Sequence, residues 1–150
     1  MSPRSVFKWF AFAEAVTWAG LLAALLLRFT GASDALVRPA GGIHGFVFLT
    51  YCVVTVCVWI DGRWRPGTGL TGLLASVIPF ATVFFELWVD RRGLLAGSWR
   101  LGTAGEQPRI FAERVLAWAL RHAALAIGVV VALVIAIFLV LLRLGPPVQF

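Results

Sequence analysis

The chain has 150 residues, 61% of them hydrophobic and only 13% charged, with a net charge of +6. Soluble domains average about 45–50% apolar and about 25% charged residues, and a soluble fold of this length has too little interior to hide the excess. A water-soluble globule is therefore excluded, and lipid is the solvent that fits. The basic residues, all arginine except Lys8, lie between apolar runs without a nucleic-acid motif. No nucleic-acid partner is expected; basic loops held at an anionic cytoplasmic membrane face are.

Four runs are long enough to cross a bilayer as helices, which takes about 20 residues each. The expected fold class is all-α, a polytopic bundle of four transmembrane helices in a bacterial plasma membrane. The first run, "WFAFAEAVTWAGLLAALLLRF" (9–29), is interrupted only by Glu14. Its apolar core is too long for a signal peptide and holds a glutamate, so it reads as a retained helix. The second, "IHGFVFLTYCVVTVCVWI" (43–60), opens at His44 and carries Cys52 and Cys57, which read as small buried hydrophobes. The third, "LTGLLASVIPFATVFFELWV" (70–89), holds Ser76, Pro79 and Glu86. Proline removes a backbone hydrogen bond, so a kink is expected at Pro79. Residues 110–122 have helical apolar spacing with charges interspersed, either an interfacial helix or a polar extension of the fourth run. That run, "AALAIGVVVALVIAIFLVLL" (123–142), has no ionisable residue. The domain reading is a three-helix membrane core (1–92), a basic loop with an amphipathic segment (93–122), and a fourth helix with a short tail (123–150).

Small residues repeat every fourth position: Ala11, Ala15, Ala19 and Ala23 in the first run, and Ala124, Gly128, Ala132 and Ala136 in the fourth. Such stripes let helix backbones approach closely, and Gly42 and Gly45 beside His44 are expected to do the same.

Ionisable groups inside a membrane each ask for a reason. Let side A be where the first helix begins and side B the other face. Threading four antiparallel helices puts Glu14 roughly 6–9 Å inside side A, level with Thr55, Cys57 and Ser76. It puts His44, Glu86 and Arg28 near side B, with His122. Two polar layers are expected: Glu14 with hydroxyls, and a His–Glu–Arg cluster able to pair internally or to serve as a proton-responsive or ligand site. The same threading spreads the arginines so that the positive-inside rule leans towards cytoplasmic first and third connections.

Three stretches, "FAEAVTWAGLL" (12–22), "GGIHGFVFLTY" (41–51) and "ASVIPFATVFFE" (75–86), resemble the signatures of the YdzA-like bacterial integral membrane family, a domain of unknown function common in actinobacteria. The resemblance covers about residues 5–92. Its pattern has Glu-Gly-x-Ser in helix one, His-Gly opening helix two and Ala-Ser-x-x-Pro-Phe-Gly in helix three. Here Ala15, Thr17 and Ala81 stand at the glycine, serine and final glycine, all small for small. The resemblance implies that Glu14, His44 and Pro79 occupy the family's characteristic positions, and it implies no activity.

No Ser-x-x-Lys, Gly-x-Ser-x-Gly, His-Glu-x-x-His or P-loop occurs, so a conventional enzyme is not expected. The leading expectation is a protein that works by helix association, as an accessory or scaffold subunit bound to other membrane subunits or to itself. The alternative is an oligomeric proton- or ligand-linked transporter or sensor using Glu14 and the His44/Glu86 layer. A further alternative is a haem protein with His44 and His122 as axial ligands; otherwise no cofactor is expected.

Overall fold

The computed structural model describes residues 1–103 and 105–144; the short tail expected after the fourth run lies outside them. Six helices follow one another: α1 (Pro3–Phe29), α2 (Val37–Asp61), α3 (Pro66–Ala75), α4 (Ala81–Arg91), α5 (Phe111–Arg121) and α6 (Ala123–Leu144). Among the described residues there is no strand. The expected all-α membrane bundle is what the chain forms.

Local chemistry sets the helix ends. Ser2 caps α1 by accepting a hydrogen bond from the Ser5 amide at 3.2 Å, and Pro3 takes the first turn, where its missing N–H costs nothing. Gly31 ends α1 at φ +73°, a conformation glycine adopts freely, while the Ala32 amide reaches back to the Leu27 carbonyl. The helix α2 starts six residues before the second apolar run, because Pro39 falls in its first turn, where proline is tolerated. His44 is therefore two turns inside α2 rather than at its opening.

Helices α1 and α2 are each long and apolar enough to cross a membrane, and they pack antiparallel along much of their length. Phe7 meets Tyr51 at a ring-centroid distance of 5.6 Å, and Trp18 meets His44 at 4.5 Å. The helix α6 leaves the α5 corner, packs on α2 and, with α5 bent 110° from it, accounts for a third candidate span.

The third apolar run is divided rather than kinked. Contacts along α3 descend α2: Gly69 lies under the Trp59 indole, Gly72 beside Thr55, and Ser76 beside Cys52. Contacts along α4 then climb back along α1. Thr82 meets Ala11 and Glu14, Phe85 meets Phe7, and Asp90 pairs with Arg4 at 2.6 Å. The pair is a helical hairpin that goes in from side A, reverses over residues 76–80 and returns to side A. Pro79 has no N–H to satisfy, and Phe80 makes the reversal at φ +66°. The amides of Ser76, Val77, Ile78 and Ala81 each find a carbonyl three residues back, so little backbone is left unpaired at an apolar tip where Val77 and Ile78 stand exposed.

This reversal rearranges the charges. Side A collects Arg4, Lys8, Arg63, Arg65, Arg91, Arg92, Arg100, Arg109, Arg114 and Arg121; side B keeps Arg28, Arg38 and Arg143. The expected lean towards cytoplasmic first and third connections assumed that α4 ended at side B. With the hairpin folded back, the weight shifts to the side that holds the N-terminus.

The small-residue stripes fare differently from expectation. Ala11 and Ala15 are buried, but Ala19 and Ala23 are exposed. A residue every four positions advances about 40° around a helix of 3.6 residues per turn, so the stripe drifts out of the interface. The buried face follows Phe7, Ala11, Glu14 and, after the half-buried Trp18 and Leu21, Ala24. In α6, Ala124, Gly128, Ala132 and Ala136 are all exposed, while Val134 is buried and Ala126 and Val130 are half-buried. A Cβ built on Gly45 would meet nothing within 4 Å, so Gly45 allows no close approach; Gly42 is half-buried. The close contacts come instead at Gly69, whose Cβ would overlap Trp59, and at Gly72, whose Cβ would lie 2.8 Å from Phe85.

Candidate intramembrane polar site

Glu14 is fully buried half-way along α1. Its Oε2 accepts a hydrogen bond from the Thr82 hydroxyl at 3.1 Å, and that hydroxyl also lies 3.1 Å from the Ala11 carbonyl. Its Oε1 is buried with no hydrogen-bond partner among the described residues. The α3–α4 hairpin builds the other wall. The Trp18 indole donates to the Ser76 carbonyl at 3.2 Å, holding the reversal against α1, and the Ser76 hydroxyl donates to Leu73 at 2.6 Å. Tyr51, itself buried, donates to the Gly72 carbonyl, and Thr55 donates back to Tyr51. A buried polar atom left unpaired is costly, and Glu14 Oε1 is one among the described residues.

His44 joins this same layer from the side B half of α2. Its Nδ1 lies 3.1 Å from the Thr17 hydroxyl, which donates to the Glu14 carbonyl at 2.9 Å. Glu14, Thr17, Trp18, His44, Ser76 and Thr82 thus form one chain of contacts. The expected second layer does not form. Glu86 is buried on α4, in the stretch that returns to the Arg4 end of α1. Arg28 is exposed at the far end of α1, with neither His44 nor Glu86 among its polar partners. The expected cluster failed because it required α4 to run to side B. Cys57, expected level with Glu14, packs instead against the α5 cluster near side A.

His122 is exposed at the α5–α6 corner, its ring stacked on Trp118 at 5.3 Å. Helix α5 packs against Cys57 and Ile60 of α2, roughly 20 Å along that helix from His44. The two histidines are not brought together. No cluster of three or more potential metal ligands occurs among the described residues.

A second polar cluster closes side A. Asp61, buried at the end of α2, accepts from the Arg100 and Leu101 amides, both at 3.0 Å. The Arg100 guanidinium binds the Asp61 and Ile60 carbonyls at 2.6 and 3.1 Å, satisfying the last acceptors of α2, and reaches Glu113 at 2.7 Å. The Arg109 amide donates to Glu113, and with the Arg100 and Arg63 guanidiniums it holds that carboxyl down at about 2. A cavity of about 260 Å³ opens beside this clasp, between Pro3, Asp61, Arg63 and residues 93–100.

Residues 4–91 match the family model described as "Domain of unknown function (DUF3817)". The chain belongs to the DUF3817 family. The match begins with α1 and stops at the end of α4, so the family unit is two long helices plus the reversed hairpin, with α5 and α6 outside it. It contains every member of the Glu14–His44 chain. The DUF3817 chain is 46% identical over 91 residues to a Streptomyces coelicolor protein named "Putative membrane protein SCO5905", an alignment covering 59% of this chain and 11% of that relative. The chain thus spans about a tenth of the length of the curated relative it matches. No solved structure matches it.

Thr82, Trp18 and Tyr51 were not anticipated as site residues. All three lie inside the quoted family stretches, but Thr82 becomes a partner of Glu14 only because the chain reverses at Pro79.

Proposed function

We propose that this protein is a multi-pass component of the bacterial plasma membrane that works by association, its DUF3817 unit serving as an accessory module of a larger membrane assembly. The observation that carries this reading is the relative in which a 91-residue homologous stretch is only 11% of a much longer chain. In that relative the homologous stretch is joined to a much longer chain, which supports a module that sits beside other segments. The exposed Ala124–Gly128–Ala132–Ala136 face of α6 supports it by offering small residues to a neighbouring helix. The basic excess at side A supports a cytoplasmic N-terminus. Native mass spectrometry of the tagged protein, extracted gently from its own membranes, tests the reading. A reproducible excess mass from other membrane subunits is expected; a bare monomer carrying nothing would overturn it.

A second reading rests on the unpartnered Glu14 Oε1 beside a reversed hairpin. Broken helices next to a buried carboxylate are a feature of proton- and ion-coupled transporters. Proteoliposomes under a proton gradient should then show dye-reported proton flux that Glu14→Gln abolishes. Equal flux in the variant, or none in either protein, sinks this reading.

A further inference from the structure

Helix α5 is amphipathic, yet its polar face is not the one left outside. Its inward side carries Glu113, Leu116 and Ala117, all buried. Its outward side presents Phe111, Val115 and Trp118, which are 80%, 50% and 47% exposed, interleaved with the exposed Arg114 and Arg121. Glu113, the helix's one acid, is turned inward and held by Arg100, Arg63 and the Arg109 amide. The outward face therefore carries aromatic and aliphatic groups with positive charge only. The 110° bend between α5 and α6 lays this face across the axis of the candidate span, at the side that holds most of the basic residues.

We propose that the outward face of α5 docks on the headgroup layer of an anionic phospholipid leaflet at side A. Phe111, Val115 and Trp118 enter the boundary between headgroups and acyl chains, and Arg114 and Arg121 bind phosphates beside them. Large apolar groups exposed to water would be unfavourable, and arginines exposed to hydrocarbon more so; the interface of an anionic bilayer satisfies both at once. The charge asymmetry between the two ends of the bundle selects the anionic leaflet independently of α5. The inference rests on the chain being a membrane component and does not depend on a protein partner.

The test uses the full chain, delipidated in mild detergent and titrated with phosphatidylglycerol or phosphatidylcholine, with retained lipids counted by native mass spectrometry. Phosphatidylglycerol is expected to be retained preferentially. The preference should fall about fivefold per arginine removed in R114Q/R121Q at low ionic strength, while R28Q/R38Q on side B leaves it unchanged. Quenching of the tryptophan emission by brominated phosphatidylglycerol should be smaller in Trp118→Phe than in the unmodified chain. Equal retention of the two lipids by the unmodified chain overturns the anionic surface alone. An unchanged preference in R114Q/R121Q, or the same loss in R28Q/R38Q, overturns the assignment to α5. Failure to retain either lipid overturns the membrane reading with it.

Discussion

The two polar clusters of this molecule solve the same problem by opposite means. Around Glu14, half-way along the helices, the partners are hydroxyls and an indole bonded to backbone carbonyls, and one carboxylate oxygen has none. Around Asp61, at side A, three carboxylates meet two guanidiniums and three backbone amides. Among the described residues Glu14 has no cationic partner, while Asp61 and Glu113 are surrounded by donors. Where water is near, charges can be gathered and compensated cheaply; deep between helices the chain spends short, local bonds and admits as few charges as it can. The clasp is thus the structural cluster, fully satisfied and outside the family unit except for Asp61 and Arg63. The Glu14 layer is the under-satisfied one, and it lies wholly within that unit.

Removing Asp61 should separate the clusters most sharply. Asp61→Ala strands the Arg100 and Leu101 amides, while the Arg100 guanidinium keeps the main-chain carbonyls of residues 60 and 61 and the Glu113 carboxylate. A loss of about 3 kcal/mol is expected, read as thermal unfolding in detergent by tryptophan fluorescence. A loss below about 1 kcal/mol would mean that the clasp is ornamental. Gly69→Ala comes next. Its methyl would enter the Trp59 indole, which donates to the Trp64 carbonyl at 3.0 Å, and should cost about 2 kcal/mol. Gly45→Ala, with open space at its Cβ, is the paired control and should be neutral or stabilising by about 0.5 kcal/mol. Equal effects at the two glycines would contradict the packing of α3 under Trp59.

Much of this could be read from the chain. Apolar length marked α1 and α2, but Glu14 and His44, expected in separate layers near opposite sides, share one: Thr17 donates to the Glu14 main-chain carbonyl and lies 3.1 Å from His44 Nδ1. Glu86 and Arg28 did not join them, because hydropathy cannot distinguish a span from a hairpin of the same length. The run 70–89 is apolar enough for either, and only the contacts of Thr82 with Ala11 and of Asp90 with Arg4 decide that it turns back. That single reversal moves Glu86 to the other side and regroups the arginines. The small-residue stripe of α1 holds only in part, for a simpler reason. Spacing by four is close to the helical repeat but not equal to it, so Ala19 and Ala23 rotate away from the face on which Ala11 and Ala15 lie.

Thr82→Val tests the deep cluster with a smaller perturbation. Valine keeps the shape and removes the donor to Glu14 Oε2, leaving both carboxylate oxygens unpaired, at a cost of about 1–2 kcal/mol. The same exchange at Thr17, which is only partly buried and leaves Glu14 Oε2 bonded, should cost less. If Thr17→Val proves the more damaging, the site is centred on His44 rather than on Glu14.

The smallest effect expected is a pH response confined to the clasp. Glu113 is held at about 2 against an ordinary 4.5, chiefly by the Arg109 amide and then by Arg100. A carboxyl with a lowered folded value contributes stability that is fully present above 4.5 and is lost as pH falls from 4.5 towards 2. Above 4.5 the clasp should be insensitive to pH from this group. Within the window, protonation releases Arg100 and Arg63 from Oε1 and weakens the hold of α5 on the end of α2. Hydrogen exchange of the Arg109 and α5 amides should therefore accelerate on acidification by more than the intrinsic chemistry predicts. Glu113→Gln should show the faster exchange already at neutral pH and a flat response between 4.5 and 2. High salt should shrink the difference, since the pairs with Arg63 and Glu106 lie partly in water. The Glu14 layer, with no cation bonded to its carboxylate, gives no comparable salt dependence, so a response to salt at the Thr82 amide would break the division between the two clusters.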